Sequence, residues 1–397
     1  MRILMLAPEP YYEDRGTLIA VDLLIRALSE RGDQEDLVTF HVGADRQHPG
    51  FEIHRIRPWP RPARIRPGFS LGKVWCDVFM FFKAIGMLRR QRYDLIHAVE
   101  EAGFMATILG PVTRTPFVFD MDSCMAGQIV ARYRWTRPFS GLLHWLETLP
   151  MRAAAAVVPM CEDLAVTARK YCRGEVEVLS DITLLSEEDV ASDAEDLRES
   201  LGLDGPIVMY IGNLEPYQGI DLLLEAHVET LKLHPDTKLV VIGGADPDIR
   251  KYREQAARLG IAETVDFLGP RPVGHLGGYM AQADILVSPR IEGTNTPMKI
   301  YSYMDSGAPV VATNLPTHTQ VMTQEEAALA EPDPKAFSAE LARLLDDSEA
   351  RQRLAASARE LVRRKHSWPA FRQTVHSLMD SLEARHDLGP GAHDPGS

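Results

Sequence analysis

Short apolar segments alternate with amphipathic ones along almost the whole chain, and this alternation constrains the fold more than any other feature. Strands are predicted in the first half at 2–7, 37–42, 52–56, 95–98, 116–119 and 155–159, and in the second at 207–211, 238–242, 265–268, 285–288 and 310–312. Helical periodicity separates several of them, for example at 17–31 and 220–233. The pattern predicts an α/β protein of two doubly wound, Rossmann-like parallel-sheet domains whose strand ends face a shared cleft.

An acidic, apolar-poor run near the middle of the chain predicts the boundary between the domains. We expect a first domain over residues 1–185, a linker over 186–204 and a second domain over 205–368. A final helix over 369–386 follows a break near Ser367, Trp368 and Pro369. Residues 387–397 have the composition of a disordered tail.

Composition and charge exclude several classes of protein. A net charge of -13 argues against nucleic-acid binding, because a polyanion would be repelled. Neither a secretion signal nor a membrane-spanning run is expected, and the opening residues 2–7 are interpreted as a buried strand. The cysteines show no paired metal-ligand spacing and are expected to stay reduced in a cytoplasmic protein without a metal site: Cys76, Cys124, Cys161 and Cys172.

The loop and helix within residues 288–313 carry an unusual density of polar side chains directly after a predicted strand. They are Arg290, Glu292, Asn295, Thr296 and Lys299. Ligands bind at the carboxyl ends of parallel strands, and the start of the helix that follows favours anions. This segment is therefore predicted to bind an anionic ligand. The alternative is an ordinary connector with a solvated loop.

Residues 55–92 combine basic and aromatic side chains, with Asp77 as the lone carboxylate. The basic residues are Arg55, Arg57, Arg61, Arg64, Arg66, Lys73, Lys83, Arg89, Arg90 and Arg92, and six aromatic side chains lie among them. This mixture is typical of a surface that docks on anionic lipid, so a peripheral position at the inner face of the membrane is a hypothesis. The alternative is a core helix over 74–88 preceded by an exposed loop.

The order of motifs in the second half resembles the family 4 glycosyltransferases of the GT-B fold, which are retaining nucleotide-sugar transferases. The matching segments include IVMYIGNLEPYQGIDLLLEA at 207–226, LVVIGG at 239–244 and HSWPAF at 366–371. The first half is a weaker match, through DLIHAV at 94–99 and PFVFDMDS at 116–123. The resemblance implies that the helix after residue 368 crosses back to the first domain. It also implies that the donor's base lies near Gly269.

The chain departs from this family at the residues that usually hold the donor diphosphate. Asn213 and Gln218 stand where the family usually has an arginine and a lysine. Arg290 and Lys299 are expected to supply the missing positive charge from the facing loop. Both Asn213 and Gln218 remain candidate donor-binding residues, although each could simply form a turn.

Two further family positions carry different residues here. The family pairs two glutamates eight positions apart, and these fall at Thr294 and Ser302, with Glu292 two residues early. Ser302 is expected to hydrogen-bond the ribose, and Glu292 is a candidate catalytic residue that would hold sugar hydroxyls. A serine lacks the charge-assisted strength of a carboxylate.

In the first half, the resemblance assigns candidate catalytic roles to His97 and Asp122. His97 keeps the first histidine of the family's His-x-His, and Asp122 stands where the family has a histidine near the reaction centre. Gly16 corresponds to the second glycine of a family pair and is a candidate donor-binding residue. His97, predicted at the end of a strand, could instead be a packed, hydrogen-bonded histidine there, and Asp122 could cap the following helix.

The expected function is retaining transfer of a sugar from a nucleotide sugar to a glycan or lipid-linked acceptor, without a cofactor or metal. Lys299, Asn295, Thr296 and Gly16 would stabilise the charge on the leaving phosphate. One alternative is a GT-B protein that has lost transfer and serves as a binding or partner subunit. A sugar isomerase or phosphorylase on the same fold is a third.

Overall fold

The computed structural model describes residues 1–12, 16–62, 65, 70–185, 194–293 and 295–386. The chain divides into two compact units, Met1–Ser180 with Phe371–Ser397, and Asp181–Ala370. Of the predicted linker, residues 186–193 lie outside the described residues, and the described part contains the short helix Leu197–Leu201. The predicted tail, 387–397, also lies outside them. Along the described ranges, no helix is long and apolar enough to cross a membrane.

The first unit is built on a parallel sheet that contains seven strands among the described residues. They are β1 Arg2–Leu6, β2 Gln34–Thr39, β3 Phe51–Arg55, β4 Leu95–Val99, β5 Phe117–Met121, β6 Ala156–Pro159 and β7 Glu175–Val176. Their order is β3-β2-β1-β4-β5-β6-β7. The order reverses between β1 and β4, so loops that follow these two strands diverge and leave a crevice at the carboxyl edge.

Helices cover this sheet and bury an apolar core against it. They are Gly16–Arg31, Leu71–Arg90, Ala102–Thr113, Met125–Arg132, Ser140–Ala153 and Glu162–Tyr171, with a 3-10 turn at Arg134–Phe139. Leu4 and Leu6 of β1, Phe117 and Phe119 of β5, and Met80 of the second helix belong to one buried cluster. The core is therefore shared between strands and helices.

Strand β2 begins earlier than the sequence suggested. It spans Gln34–Thr39 rather than 37–42, and it includes the acidic residues Glu35 and Asp36. Asp36 is tolerated because Arg2 and Tyr93 donate hydrogen bonds to its carboxylate. Burial, followed by the charge of Asp33, raises the pKa of Glu35 to about 9, so this carboxyl is buried in its neutral form.

The second unit contains a separate parallel sheet with six strands in the described part of the chain. They are β8 Ile207–Ile211, β9 Lys238–Ile242, β10 Val265–Gly269, β11 Ile285–Ser288, β12 Val310–Thr313 and β13 Ala328–Ala330. Their order is β10-β9-β8-β11-β12-β13, so β8 and β11 flank the reversal. Buried clusters lie on both faces of the sheet. Two parallel-sheet α/β domains are thus confirmed.

Helices join the strands of the second sheet. They are Ile220–Leu231, Asp246–Arg258, Leu276–Met280, Lys299–Asp305, Pro316–Thr319, Pro334–Asp346 and Ser348–Lys365. The last helix, Trp368–His386, belongs to the first unit from Phe371 onward. There Nε2 of His376 lies 2.8 Å from the carbonyl of Ala27, and Arg31 donates to Asp380 at 2.9 Å.

Candidate functional site

The reversal of strand order in the second sheet brings two loops together at its carboxyl edge. Gly212 follows β8, and residues 289–298 follow the neighbouring strand β11. Gly212 adopts φ of 153°, a region that favours glycine. A Cβ at this position would lie 3.1 Å from Nζ of Lys299, so the glycine leaves room for that ammonium group. The sequence-predicted polar loop therefore lies at the topological switch point, where α/β sheets bind ligands.

Lys299 directs its ammonium group back towards the loop that follows β8. Nζ donates to Oε1 of Gln218 at 3.4 Å and lies 3.9 Å from the centre of the Tyr210 ring. Burial, followed by the charge of Arg290, holds the pKa of Lys299 well below its usual range. None of the described residues pairs a carboxylate with this ammonium. An anion that binds here would therefore form an ion pair with a lysine that has no carboxylate partner among the described residues.

The guanidinium of Arg290 shapes the loop from inside. Nε donates to the carbonyl of Glu292 at 2.7 Å, and Nη1 donates to the carbonyl of Asn295 at 3.0 Å. The guanidinium carbon also lies 5.1 Å from the centre of the Tyr217 ring. Gly293 has φ of 121°, and a Cβ there would collide with the guanidinium. Arg290 therefore fixes the loop conformation and adds positive charge beside Lys299.

Asn295 and Thr296 anchor the end of the same loop. The carbonyl of Asn295 accepts from Oγ1 of Thr317 at 2.6 Å, and Oγ1 of Thr296 accepts from Nε2 of Gln320 at 2.9 Å. Thr296 is only 2% exposed. These contacts give both residues a structural role, while their predicted part in phosphate binding stays a prediction. Residue 294, the family's first glutamate position, lies outside the described residues.

His318 is a buried residue that the sequence did not single out, and its contacts with the ends of β11 and β12 stabilise the loop. One ring nitrogen of His318 lies 2.9 Å from Oγ of Ser288, at the end of β11, and the other lies 2.9 Å from the carbonyl of Thr313, at the end of β12. Oγ1 of Thr313 in turn donates to the carbonyl of Arg290 at 2.5 Å. Burial lowers the pKa of His318 to about 4, so the ring is neutral. The polar ends of two adjacent strands were the only signal in the sequence.

Two other predicted donor-binding residues, Asn213 and Ser302, make contacts within the protein, and the candidate catalytic residue Glu292 is solvent-exposed. Asn213 is exposed, and its Oδ1 accepts from the backbone N–H of Glu215 at 3.3 Å, which is a turn contact. Ser302 is buried, and its Oγ accepts from the backbone N–H of Leu184 at 3.2 Å. Glu292 is exposed. Their assignments to the donor and to sugar hydroxyls stay predictions.

A cavity of about 540 Å³ opens beside Gly212 at the ends of three strands. Its lining includes Asn213 after β8, Gly243 and Gly244 after β9, and Arg271 after β10. Gly269 ends β10 with φ of 71° and turns the chain towards this lining. The cavity therefore extends from the neighbourhood of Lys299 along the sheet edge, in the direction in which the nucleotide base was expected.

The corresponding switch point in the first sheet also holds a buried lysine, but that lysine is paired. Nζ of Lys73 lies 2.7 Å from a carboxylate oxygen of Glu9, after β1, and 2.7 Å from one of Glu101, after β4. Burial opposes the charge of Lys73, but Glu101 and Glu9 outweigh it and raise the pKa above its usual range. The sequence groups Lys73 only with the basic residues of the segment 55–92.

Glu100 is a second group that the sequence analysis did not assign to the site. It follows β4 in a left-handed conformation, with φ of 52°, and its Oε2 accepts from Oγ of Ser123 at 3.1 Å. Burial, followed by the charge of Glu101, raises the pKa of Glu100 to about 8. A protonated carboxyl at a strand end is a candidate for acid–base chemistry. The adjacent pair of glutamates after a predicted strand was the available signal.

The candidate catalytic residues of the first domain, His97 and Asp122, lie in or directly after different strands of the sheet. His97 lies in the middle of β4 rather than at its end; it is 1% exposed, and its Nε2 is 3.1 Å from Oδ2 of Asp120. This geometry favours the packed, hydrogen-bonded histidine. Asp122 follows β5, and Cys124 rather than Asp122 caps the next helix. Gly16 begins the first helix, next to residues 13–15 outside the described ranges.

Two groups of side chains in the described chain could hold a metal ion. They are Cys124 with His144 and Glu147, and Asp36 with Glu52 and His54. In each group the members already bond to one another. Sγ of Cys124 donates to Glu147 at 3.2 Å, and Nε2 of His54 lies 2.6 Å from Asp36. The expectation that no metal is required stays a prediction.

Known structures share this two-domain architecture over nearly the whole chain. Sucrose-phosphate synthase from Thermosynechococcus elongatus superposes with a TM-score of 0.78 at 21% identity, covering 97% of this chain and 99% of that one. HepE of Anabaena, solved with UDP-glucose, gives a TM-score of 0.70 at 20% identity over 96% of this chain and 100% of its own. The fold is therefore that of the GT-B glycosyltransferases.

Family models identify the two domains separately. The Glycosyl transferase 4-like domain matches residues 15–179, and Glycosyl transferases group 1 matches residues 193–361. The two matches together account for most of the chain, which belongs to the GT4-like glycosyltransferase family. The resemblance inferred from the sequence motifs is thus confirmed.

Individual relatives are distant. The chain is 31% identical over 207 residues to a D-inositol 3-phosphate glycosyltransferase of Corynebacterium glutamicum (strain R), a match that covers 49% of each chain. It is 24% identical over 334 residues to an alpha-D-kanosaminyltransferase of Streptomyces kanamyceticus, covering 80% of this chain and 85% of that one. The chain spans about half the length of the first of these relatives.

Proposed function

We propose that this chain transfers a sugar, with retention at the anomeric carbon, from a nucleotide-sugar donor to an acceptor hydroxyl. The bond between the anomeric carbon and the diphosphate breaks, and its electron pair stays on the phosphate oxygen. The new bond joins the same sugar face to the acceptor oxygen, whose proton passes to the departing diphosphate. A cation must therefore meet the leaving diphosphate. Family membership supports the donor class, as do the UDP and UDP-glucose complexes of HepE.

The observation that carries this proposal is the position of the Lys299 ammonium. The family's usual lysine is replaced by Gln218, yet Nζ of Lys299 lies 3.4 Å from Oε1 of that glutamine. The positive charge is thus supplied from the opposite side of the same crevice. Because this ammonium has no carboxylate partner among the described residues, a diphosphate would provide the missing compensation.

A panel of nucleotide sugars, measured by thermal shift and by turnover, tests the proposal. One member is expected to raise the melting temperature and to be consumed, and Lys299→Gln is expected to abolish both effects. Lys251→Gln is the matched control, since Lys251 also lies over a tyrosine ring, 4.3 Å from the centre of Tyr252, but is exposed. If no nucleotide sugar binds or is consumed, the transferase proposal fails.

A partner subunit without activity is the second candidate function, favoured by the missing arginine and lysine at Asn213 and Gln218. This alternative predicts that nucleotide sugars bind but are not consumed, whichever acceptor is added. The raised pKa of Glu100 and the uncompensated charge of Lys299 favour an enzyme instead, because such groups are costly to maintain in a purely structural domain.

The acceptor is proposed to lie at an anionic membrane surface. The helix Leu71–Arg90 buries Lys73, Cys76, Met80 and Ala84 on one face. Its opposite face exposes an apolar stripe at helical spacing, formed by Leu71, Val74, Trp75, Val78 and Phe82. Phe82 is 65% exposed and Leu71 is 83% exposed, which is unusual for a solvated helix. Of the predicted basic segment, Arg64, Arg66 and Phe69 lie outside the described residues.

Co-sedimentation with vesicles tests this docking surface. Binding to phosphatidylglycerol vesicles at low salt is expected for the wild-type protein, and Leu71→Ser/Phe82→Ser is expected to weaken it. Both side chains are largely exposed, so the substitutions should leave the fold intact. The equally exposed Val112→Ser, on another helix, is the control. Absence of binding to anionic vesicles would remove the membrane from the proposal and leave sugar transfer untouched.

A further inference from the structure

A second cavity, in the first domain, is lined by cations that no function has yet explained. It has a volume of about 540 Å³ and lies against the edge strand β3 and the residues that follow it. Its charged and polar lining consists of His41, Asp45, His54, Arg55, Arg57, Arg61 and Lys83. In a chain with a net charge of -13, such a concentration of cations calls for an explanation.

Several of these side chains are already engaged within the domain. Arg55 donates to the carbonyls of Tyr11 and Val42, each at 2.7 Å, and forms an ion pair with Asp45 at 2.6 Å. Nε2 of His54 lies 2.6 Å from Asp36. The single carboxylate of the lining, on Asp45, is therefore compensated by Arg55. These contacts build the wall of the cavity and leave its remaining cations unneutralised.

Arg57, Arg61 and Lys83 are those remaining cations. Lys83 is half-buried, and its Nζ donates to the carbonyl of Arg55 at 3.2 Å. Burial, then the charges of Arg57 and Arg90, lower the pKa of Lys83. Arg57 and Arg61 are exposed at the mouth of the cavity. No carboxylate in the described part of the chain pairs with any of the three. Like charges held together in this way favour an anion between them.

The cavity and the apolar stripe share one helix. Lys83 directly follows Phe82, the last member of the stripe, and Arg90 lies two turns further along the helix. A ligand that places an anionic group in the cavity and an apolar chain along the stripe would satisfy both features. A phospholipid has this construction, with a phosphate headgroup next to its acyl chains.

We propose that Arg57, Arg61 and Lys83 form a phosphate-binding subsite that holds the headgroup phosphate of a membrane lipid. This inference deepens the membrane docking proposed above and rests on it. Two arginines can hold phosphate oxygens through paired N–H groups, and the lysine adds a point charge from the cavity wall. By binding the lipid phosphate, the subsite would also fix the orientation of the first domain on the membrane.

Binding of glycerol phosphate and of vesicles is measured for the wild type, for Arg57→Ala/Arg61→Ala and for Arg89→Ala/Arg92→Ala. The last variant loses the same charge from exposed positions outside the cavity lining. For the cavity variant, glycerol phosphate and phosphatidylglycerol vesicles should both bind about 100-fold more weakly, as for lost charge-assisted hydrogen bonds. The control variant Arg89→Ala/Arg92→Ala should keep its affinity for glycerol phosphate, and its affinity for vesicles should fall by at most about 30-fold.

Three outcomes overturn the subsite. Equal losses on vesicles in both double variants would mean that only the overall charge matters. Glycerol phosphate binding that is absent, or insensitive to the cavity variant, would remove the phosphate ligand. Cavity-dependent glycerol phosphate binding without a preference for anionic over phosphatidylcholine vesicles would exclude a lipid source. Nucleotide-sugar binding, measured in parallel, is expected to be unchanged in all variants, so failure of sugar transfer is distinguished from failure of the subsite.

Discussion

Each domain places one lysine at its topological switch point, Lys73 buried and Lys299 half-buried, and the two lysines are in opposite electrostatic states. Lys73, between the strand ends of β1 and β4, has carboxylates of Glu9 and Glu101 at 2.7 Å, which raise its pKa. Lys299, between β8 and β11, has a glutamine and a tyrosine ring as its neighbours, and its pKa is lowered. The first lysine is thus compensated within the protein, and the second is not.

The partners of the two lysines distinguish a structural residue from a ligand-binding one. A buried ion pair holds its own elements together, so losing one partner leaves an unpaired charge. The charged form of a half-buried, unpaired lysine is stabilised only when an anion binds beside it. The contrast therefore assigns stability to Lys73 and donor binding to Lys299.

Replacement of Lys73 is expected to have the largest effect. Lys73→Met removes the cation that the half-buried carboxylates of Glu9 and Glu101 share, so the free energy of unfolding should fall by about 3 kcal/mol. Chemical denaturation measures this loss. The triple variant Lys73→Met/Glu9→Gln/Glu101→Gln should recover most of it, because no charge is left uncompensated. A single variant as stable as wild type would show that Lys73 contributes no structural ion pair.

Replacement of Lys299 should affect function and leave stability almost unchanged. Lys299→Gln removes the cation that meets the leaving phosphate, so turnover should fall by about 100-fold or more. The free energy of unfolding should stay constant or rise, since a half-buried charge without a carboxylate partner among the described residues has been removed. Turnover near the wild-type rate would contradict the role of Lys299, and a large loss of stability would make it structural like Lys73.

The pH dependence of nucleotide binding should be a smaller effect than those of the two replacements. It should depend on the protonation of Lys299 and not on that of Lys73. A bound diphosphate favours charged Lys299 and raises its pKa, so affinity should decrease as pH rises through the lowered pKa of the free protein. Titration above pH ~7.5 avoids the second phosphate ionisation, whose pKa is about 6. Several-fold weakening of UDP binding is expected in wild type and none in Lys299→Gln. Lys73, with its raised pKa, should stay charged throughout.

The architecture was predictable from the sequence because buried parallel strands consist of short apolar runs with polar residues at their ends. The prediction was wrong about the start of β2, where Glu35 and Asp36 resemble a loop until their burial and partners are known. It also put His97 at a strand end, whereas the histidine lies inside β4. Alternation alone does not show which residue of a short strand is central.

The candidate site was less predictable, because its chemistry depends on contacts between distant residues. The polar loop after β11 was visible in the sequence, and so was the loss of the usual cations at Asn213 and Gln218. That Lys299 reaches Gln218, 81 positions away, is a property of the fold. The pairing of Lys73 with Glu9 and Glu101 was hidden for the same reason, and Lys73 was grouped with surface cations.

A charge-swap series measures whether the affinity for a nucleoside diphosphate depends on a cation at Lys299. UDP binding is measured by calorimetry for wild type, Lys299→Gln, and Lys299→Gln combined with Gln218→Lys. If the crevice needs one cation from either side, the single variant should bind about 100-fold more weakly and the swap should recover at least about tenfold. A single variant that binds like wild type, or a swap that recovers nothing, would contradict the account.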